Sequence, residues 1–353
     1  MALQGSGQIS ASNIANEFGY TNGSETRLGS YRSTNGQGNF PVSFGALQFN
    51  SIDAQSGGSV PTSGQIKFSD FYSTRLQQVV NFYGSGRGGN RLIAKDRYNA
   101  GGSNDVNVVG NYRTRPNDTS GTKVHIHVNQ TIGSEKSNVQ HCALRTGSWN
   151  SSTTLQVDIG GSGRIRGGGG DGGRGSVNSG GGFAGGSGTS GLGVRYSPTQ
   201  VNIASGGVLV AGFGGGGGGG GAYDHDKNSS RTASGGGGGG GAGIPAGAGG
   251  AEGSGGVEGG PGNAGSATAA GSGGGGGNND GEAVAGGGGT GGSAGEAADN
   301  GGTGFGGEGS SSGGGGGGAG GPDGAAIRRN SGFTVNISNS GTLSGSTNAT
   351  GVL

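Results

Sequence analysis

Residues 214–221 read GGGGGGGG and residues 235–241 read GGGGGGG. Shorter glycine runs follow at 273–277, 286–289 and 313–318. A flexible linker has no reason to keep its interruptions at regular distances. These runs, however, have similar lengths, and turn-like pieces separate them. Rods of similar length joined by turns predict an ordered bundle.

Glycine loses more backbone entropy on ordering than any other residue, so an ordered glycine run needs a structure that only glycine can form. A polyproline-II-like helix has three residues per turn and leaves its N–H and C=O groups unpaired within the helix. Without side chains, many such helices can lie close enough to hydrogen-bond to one another, whereas an interior Cβ would push them apart. We therefore predict a polyglycine-II bundle over residues 160–330, with Ala and Ser at its periphery. The alternative is a disordered, low-complexity spacer.

Composition bounds the function. The 353 residues include 101 glycines, are 27% apolar and carry a formal net charge of +1. With no clustered basic residues, the sequence predicts no nucleic-acid partner. The single cysteine, Cys142, excludes an intrachain disulfide. The start lacks signal-peptide features and no apolar run is long enough to span a bilayer, so we expect no membrane insertion and assembly in a cytoplasm.

The composition divides the chain into four segments: 1–75, 76–159, 160–330 and 331–353. Residues 1–75 contain an internal echo, in which 6–18 and 61–72 each run from an extended piece through Ser-Asn or Ser-Asp to an apolar residue. This pattern predicts two strand-to-short-helix units. Their expected core residues are Ile9, Ile14, Phe18, Ile66, Phe68 and Phe71. Such a core is too small for a robust independent domain, so we predict a docking module.

Residues 76–159 predict a small β-domain. Four stretches rich in β-branched and aromatic residues are expected to be strands, namely 77–83, 105–109, 123–128 and 154–159. Trp149 is expected to anchor them. His125 and His127 alternate along one stretch and share a face. They would bind a metal only if three chains met on an axis, and the alternative is that both face solvent. The sequence predicts no metal site.

A unit of strand, glycine, aliphatic residue and small residues occurs three times. Its copies start at 155–159, 201–203 and 333–337, and each is followed by a glycine and then by Ile165, Leu209 or Leu343. Three copies with similar spacing indicate a repeated structural unit. The expected fold class is mostly β and irregular, with a small N-terminal docking module, a small β-domain and short strands flanking the polyglycine-II bundle.

Residues 155–175, which end in GSGRIRGGGGDGGRG, resemble the start of the glycine-rich domain in tail-fibre tip adhesins of T-even-like phages, and 333–345 resemble a closing copy. The pair 6–18 and 61–72 resembles a module at the start of tail structural proteins of marine and cyanobacterial phages. The resemblance implies a virion protein at the tail fibre or baseplate periphery. In that family, loops at the far end of a polyglycine-II sandwich contact a bacterial surface receptor. It implies two kinds of partner: a host glycan or outer-membrane protein, and other tail proteins bound through 1–75.

If the glycine rods alternate in direction, successive loops fall at alternate ends. By that parity 222–234 and 278–285 share one end, and their charged and amide residues are candidate receptor contacts. A second candidate is the loop 191–199. The candidate receptor-binding residues are Tyr223, Asp224, His225, Asp226, Lys227, Arg231, Arg195, Tyr196, Asn278, Asn279 and Asp280. Each of them is alternatively an ordinary solvated turn residue, and Asp224, His225 and Asp226 together form a candidate cation site.

Enzymatic chemistry is not expected. Residues 309–313 read GSSSG, which fits a nucleophile elbow by chance at this glycine and serine density, with no strand before it. The sequence has no P-loop, no HExxH and no cofactor motif. The alternative function is a structural adaptor of the tail or baseplate without receptor contact. An ice-binding protein is a third candidate, but the irregular charged loops do not suit a flat face of small residues.

Overall fold

The protein is described by a computed structural model, which is mostly β with very little helix, so the prediction of a mostly β and irregular fold is confirmed. The residues described are 4–17, 42–44, 47–50, 54–55, 60–61, 63–72, 75–82, 91–93, 98–99, 123–134, 136, 138–147, 154–226, 229–294, 296–306 and 311–352. None of the helical segments among them has the length and apolarity to cross a lipid bilayer.

The described strands are short and the helical segments are few. In chain order they are α1 Ala11–Glu17, β1 Val42–Phe44, β2 Leu47–Asn50, β3 Ala54–Gln55, a 3-10 turn Phe68–Phe71, β4 Arg75–Phe82, β5 Arg91–Ile93, β6 Tyr98–Asn99, β7 Lys123–Val128, β8 Thr131–Gly133, β9 Cys142–Arg145, β10 Thr154–Ile159, β11 Arg164–Arg166, β12 Ser190–Val194, β13 Thr199–Ile203, β14 Val208–Val210, β15 Ala222–Asp226, β16 Ser229–Ala233, β17 Asn278–Asn279, β18 Ala283–Val284, β19 Phe305–Gly306, β20 Ser311–Gly314, β21 Ile327–Arg329, β22 Val335–Asn339, β23 Thr342–Ser344 and β24 Ala349–Thr350.

Fifteen of these strands form a three-faced parallel β-solenoid. The first face contains β4, β7, β10, β13 and β22, the second β5, β8, β11, β14 and β23, and the third β6, β9, β12, β21 and β24. Within each face every neighbouring pair is parallel. One strand from each face makes a rung, so the solenoid has five rungs. Beyond rung 1 the first face continues as β2 and β1, with β3 pairing β4 separately, all antiparallel.

The repeat seen in the sequence corresponds to rungs 3, 4 and 5. Ile165 pairs with Leu209, and Leu209 pairs with Leu343 on the second face, as the spacing predicts. On the first face the last copy is shifted by two residues, because Val201 pairs with Ile337 and Ile203 pairs with Asn339. The turn between β22 and β23 is two residues shorter than the turn between β13 and β14. This difference cancels the two-residue shift, so the second face keeps the expected pairing.

Alternating side chains fill the interior of the solenoid. In β10 and β13 every second residue is buried and the residues between them are half-buried. The core cluster combines residues from all three faces: Ile126, Val128, Ile132, Ala143, Leu144, Leu155, Val157, Ile159, Ile165, Leu192, Val194, Tyr196, Val201, Ile203, Leu209, Ala326 and Ile327. Because these residues come from positions 126 to 327, long-range rung stacking rather than local structure forms the core.

The glycine-rich region consists of two insertions between the second and third faces. One insertion, 167–189, follows β11 in rung 3, and the other, 211–326, follows β14 in rung 4. They contain ten extended tracts linked by backbone hydrogen bonds. In chain order, tracts 1 to 10 are 167–176, 182–189, 211–221, 234–244, 247–253, 257–266, 271–277, 285–292, 299–304 and 315–324.

Hydrogen bonds between tracts recur at every third residue. Along tract 1, for example, the N–H groups of Gly170, Gly173 and Ser176 donate to tract 3 at 2.8–3.0 Å. The period of three residues matches the number per turn of a polyproline-II helix. Tract 3 is bonded to tracts 1, 2, 4, 8, 9 and 10, and tract 4 to tracts 1, 3, 5, 6, 7 and 8. Each central tract therefore has six neighbours, which is hexagonal packing in layers of three, four and three tracts.

The two central tracts leave no room for side chains. All residues of 211–221 and 234–244 are buried. A Cβ added at any glycine from 214 to 220 would lie closer than 3.0 Å to a neighbouring tract's backbone, a separation that real Cβ atoms essentially never show. Alanine, serine and larger residues in the bundle lie mostly in the outer tracts and in the ends of the central ones. The distribution agrees with the expectation that the interior must be glycine.

The bundle is tied to the solenoid by side chains as well as by the chain itself. Lys136, in the rung 2 loop, contacts the Asp171 carboxylate in tract 1 at 2.6 Å. The same carboxylate oxygen accepts the Ala248 N–H of tract 5 at 2.7 Å. The Ser134 N–H donates to the Ile244 carbonyl at 2.9 Å. These links fix the direction in which the tracts leave the solenoid.

The N-terminal segment is only partly as predicted. Ile14 and Phe71 are buried, but Phe68 is 43% exposed and Val60, which was not predicted, is buried. Ser10 caps α1, since its hydroxyl accepts the Asn13 N–H at 3.1 Å, so the cap lies two residues before Ser12, the first residue of the Ser-Asn pair expected to cap the helix.

Three of the four strands predicted within 76–159 are present, and other predictions lie outside the described residues. The expected strands 77–83, 123–128 and 154–159 correspond to β4, β7 and β10. Phe18, Trp149 and the expected strand 105–109 lie outside the described residues. The four-segment division stays a prediction, although the solenoid faces combine strands from 76–159, 160–330 and 331–353.

Candidate functional site

The connections between glycine tracts gather at two opposite ends of the bundle. Odd-numbered tracts run away from the solenoid and even-numbered tracts return, as the hydrogen-bond registers between neighbours require. Five connections therefore lie at the end remote from the solenoid, which we call the distal face. They are 177–181, 222–233, 254–256, 278–284 and 305–314, of which 227–228 and 307–310 lie outside the described residues. The expectation that 222–234 and 278–285 share one end is confirmed.

The centre of the distal face is a small antiparallel sheet. β15 pairs with β16 on one side and with β20 on the other. The Tyr223 ring covers Gly313 of β20, where an added Cβ would lie 2.9 Å from a ring carbon. Asp224, in the middle of β15, is buried at 4% exposure, whereas His225 and Asp226 are exposed. The sheet grows from tracts 3, 4 and 10, so it is rooted in the centre of the lattice.

A second small sheet lies beside the first. It consists of β17, β18 and β19 in antiparallel order. Asp280 and Gly281 have φ angles of 53° and 79°, and the Glu282 N–H donates to the Asn279 carbonyl at 3.2 Å, so this three-residue hairpin loop uses two residues that tolerate left-handed backbone. The Asn278 side chain accepts the Gly281 N–H at 2.8 Å and holds this turn. The Asp-Gly sequence thus explains why the connection forms a hairpin instead of a loose loop.

Side chains join the two sheets. Arg231 of β16 forms an ion pair with Glu282, in the turn between β17 and β18. The Asn279 amide donates to the Thr232 carbonyl at 3.3 Å. An ion pair at the surface contributes little stability, typically less than about 1 kcal/mol, but this one fixes the position of one connection against the other. The distal face is therefore one continuous surface.

Phe305 is the most exposed large apolar side chain of the distal face. It is 62% exposed, lies in β19 and is paired with Val284 of β18. Its neighbour Gly306 touches the backbone of Tyr223, which brings β19 against the central sheet. An aromatic side chain standing out of a rigid surface is typical of a binding anchor. Phe305 and Glu282 were not among the residues predicted from the sequence, although a lone aromatic residue between glycine runs was a signal for Phe305.

The predicted candidate residues fall in two places. Tyr223, Asp224, His225, Asp226, Arg231, Asn278, Asn279 and Asp280 are all on the distal face. Lys227 lies outside the described residues. The prediction that Asp224 contacts a receptor is wrong, because its side chain is buried in the sheet and is not part of the exposed surface.

Arg195 and Tyr196 are at the other end of the molecule. They follow β12 of the solenoid, and the Arg195 N–H donates to the Thr146 hydroxyl at 2.9 Å. Tyr196 is 9% exposed and belongs to the core cluster. Its carbonyl accepts the Thr199 hydroxyl at 2.7 Å. A tyrosine held in the solenoid core is not available to a partner, so Tyr196 is removed from the candidate surface, while Arg195 is partly exposed and lies apart from the distal face.

The two candidate cation sites gain no support. On the outer surface of the first face, the His127 Nδ1 lies 3.7 Å from the Asp158 Oδ2. The other carboxylate oxygen of Asp158 accepts a hydrogen bond from the Asn202 side-chain amide at 2.8 Å. His125 lies on the same strand, in register with Gln156. Among the residues that the structure describes, no group of three or more His, Cys, Asp or Glu side chains is placed to hold a metal ion.

Comparisons with known proteins yield a distant structural likeness. The chain is similar to a solved structure, the gp37–gp38 adhesin tip complex of the bacteriophage S16 long tail fiber, with 19% sequence identity and a TM-score of 0.30. The alignment covers 81% of this chain and 88% of that chain. No protein family and no curated protein matches the sequence. A likeness at this TM-score establishes neither the fold nor the function of this chain.

Proposed function

We propose that this protein is a phage tail-fibre adhesin, which binds a receptor on the host cell surface through its distal face. One observation carries the proposal: five connections of different chemistry gather at the single end of the glycine bundle that points away from the solenoid. An enzyme needs a cleft with convergent groups. A platform that displays short, chemically varied loops instead suits reversible recognition, so we propose a binding protein without cofactor or catalytic activity.

Rigidity of the platform supports this role. Packed polyglycine-II helices, the state that we propose for the tracts, hold every central residue between hydrogen-bonded neighbours. Tract 3 would extend the distal face on the order of 30 Å from the solenoid at ~3.1 Å per residue. Loops held by such a scaffold lose little conformational entropy on binding, which raises affinity without further contacts.

The chemistry of the distal face suits a protein or glycan surface. Phe305 supplies an apolar anchor, and His225, Asp226 and Asp280 are exposed polar residues of the same distal face. Interfaces typically combine such a central aromatic residue with a polar rim. We propose that the receptor is a host glycan or an outer-membrane protein, with no nucleic-acid partner and no insertion into the membrane.

The attachment end is proposed to be residues 1–75, through other phage tail proteins. This placement puts the protein in the virion, at the tail fibre or baseplate periphery, after assembly in the host cytoplasm. It leaves the distal face directed away from the point of attachment. A structural adaptor, the alternative, would bury the same loops against other tail proteins.

We expect Phe305→Ser to weaken binding to host cells by about 30-fold, because truncating an aromatic anchor typically costs about 2 kcal/mol or more. The measurement is flow cytometry of the fluorescently labelled full chain on a panel of bacterial strains. Phe68→Ser is the control, since Phe68 is also exposed, at 43%, but lies in the 3-10 turn of residues 1–75, the segment proposed for attachment and not for receptor binding. Binding to no strain, or equal binding by both variants, would contradict the proposal.

A further inference from the structure

Rung 5 leaves one edge of each solenoid face open. β22, β23 and β24 are the terminal strands of their sheets, and each pairs only with a strand of rung 4. No described strand pairs with their other edges. At the opposite end, the first face of rung 1 is covered by β2 and β3. The two ends of the solenoid are therefore unlike.

The open edge exposes side chains that belong to the solenoid interior. Ile337 is in register with Val201, which has no exposed surface, yet Ile337 itself is 37% exposed. Val335 and Leu343, in the same rung, are only partly buried against the core cluster. In rungs 1 to 4 the next rung covers the equivalent residues. The end of rung 5 is therefore an apolar surface like the ones that are buried between neighbouring rungs.

The backbone of β22 also points hydrogen-bonding groups away from the solenoid. The Thr199 N–H donates to the Thr334 carbonyl at 3.1 Å, and Thr199 is opposite Val335. In a parallel ladder this pattern directs the N–H and C=O of Val335, Ile337 and Asn339 to the far side. That side of β22 is thus a template for one more strand.

Charge does not protect this edge. Residues 330–353 contain no Asp, Glu, Lys, Arg or His. Natural proteins usually block exposed edge strands with charged residues or proline, because an open edge recruits other strands. An uncharged edge with an apolar interior has no device against strand addition, which indicates that it is covered in the assembled protein.

We propose that a second copy of this chain covers the edge, rung 5 against rung 5. An antiparallel pairing centred on Ile337 makes the surface complementary to itself: Ile337 faces Ile337, and Val335 faces Asn339 of the other copy. Each of the three residues then exchanges hydrogen bonds with its opposite residue. An uncharged patch meets its own copy without repulsion, as a two-fold interface requires. Head-to-tail stacking is blocked on the first face, because β4 has both edges paired.

A dimer of this kind carries two glycine bundles. It would display two distal faces on one particle, and simultaneous engagement of two receptors raises the overall affinity well above that of a single face. The dimer does not depend on the nature of the receptor. Its test is accordingly independent of the binding test for Phe305.

The experiment is analytical ultracentrifugation of the purified full chain across the micromolar range. The wild-type chain is expected to be a dimer. Ile337→Lys places a charge in the seam and is expected to weaken dimerisation at least about tenfold. Asn336→Lys is the matched control, because Asn336 lies on the outer surface of β22, in register with Gln200 of β13. This variant is expected to remain dimeric.

Asn339→Pro is a second variant that keeps the test valid if Ile337→Lys misfolds. It removes an N–H that faces the open side and leaves the bonds to β13 in place. Circular dichroism confirms that each variant is folded. Dimers lost in both seam variants and kept in Asn336→Lys support the proposal. A monomeric wild-type chain, or folded seam variants that dimerise like the wild type, would overturn it.

Discussion

Alanine in place of Gly239 should destabilise the protein by about 3–5 kcal/mol. Gly239 lies in tract 4, one of the two central tracts, and an added Cβ would lie closer than 3.0 Å to the backbone of tract 7. Its N–H donates to the Gly289 carbonyl at 2.8 Å. Overpacking in a tight interior costs ~1–3 kcal/mol, and each hydrogen bond lost as the tracts separate costs about 1 kcal/mol.

Gly275→Ala is the control for this substitution. Gly275 is also a tract glycine, but nothing lies within 4 Å of an added Cβ there. Both substitutions reduce the entropy of the unfolded chain by the same amount. The difference in unfolding free energy between the two variants, measured by chemical denaturation, therefore isolates the clash. Equal stabilities would show that the tracts are not packed as a lattice.

Ile165→Ala should cost about 2–5 kcal/mol of unfolding free energy, the range for truncating a fully buried aliphatic residue. Ile165 has no exposed surface and stacks in register between Ile132 of rung 2 and Leu209 of rung 4. It lies two residues before tract 1 and next to the root of tract 3. The cavity that Ile165→Ala leaves therefore weakens rungs 3 and 4, into which the glycine bundle is inserted.

Arg164→Ala, on the same strand, is expected to cost under about 1 kcal/mol. The Arg164 side chain points outward and donates to the Gly206 carbonyl at 3.0 Å on the exposed surface. Thermal unfolding followed by circular dichroism compares the two variants. If Arg164→Ala lowered the melting temperature as much as Ile165→Ala, the second face would not be part of a packed core.

Much of the glycine bundle was predictable because its cause is local. A glycine run can become ordered in a packed bundle of extended tracts, which residues with side chains cannot form. Such a bundle requires neighbouring tracts on all sides. Counting the turns between runs was then enough to place 222–234 and 278–285 at one end. The same local reasoning identified the three repeats, since each carries its own strand, glycine and aliphatic residue.

The candidate surface was predicted less well, because exposure depends on what lies above a residue. Tyr196 reads as an aromatic loop residue, yet the turn after β12 folds it into the core. Asp224 reads as part of a charged loop, yet it occupies the middle strand of a three-stranded sheet. Phe305 was not among the predicted candidates, and its exposure depends on the position of β19 at the edge of its sheet.

The sequence by itself determined that glycine tracts pack against one another and that their connections alternate between two ends, because backbone geometry at each residue sets both. Only the tertiary structure decided that the bundle is an insertion into a solenoid. β14 ends at residue 210 and β21 begins at residue 327, yet both belong to rung 4. Parallel pairing across such a separation leaves no local pattern, since its register is set by the strands of the neighbouring rungs.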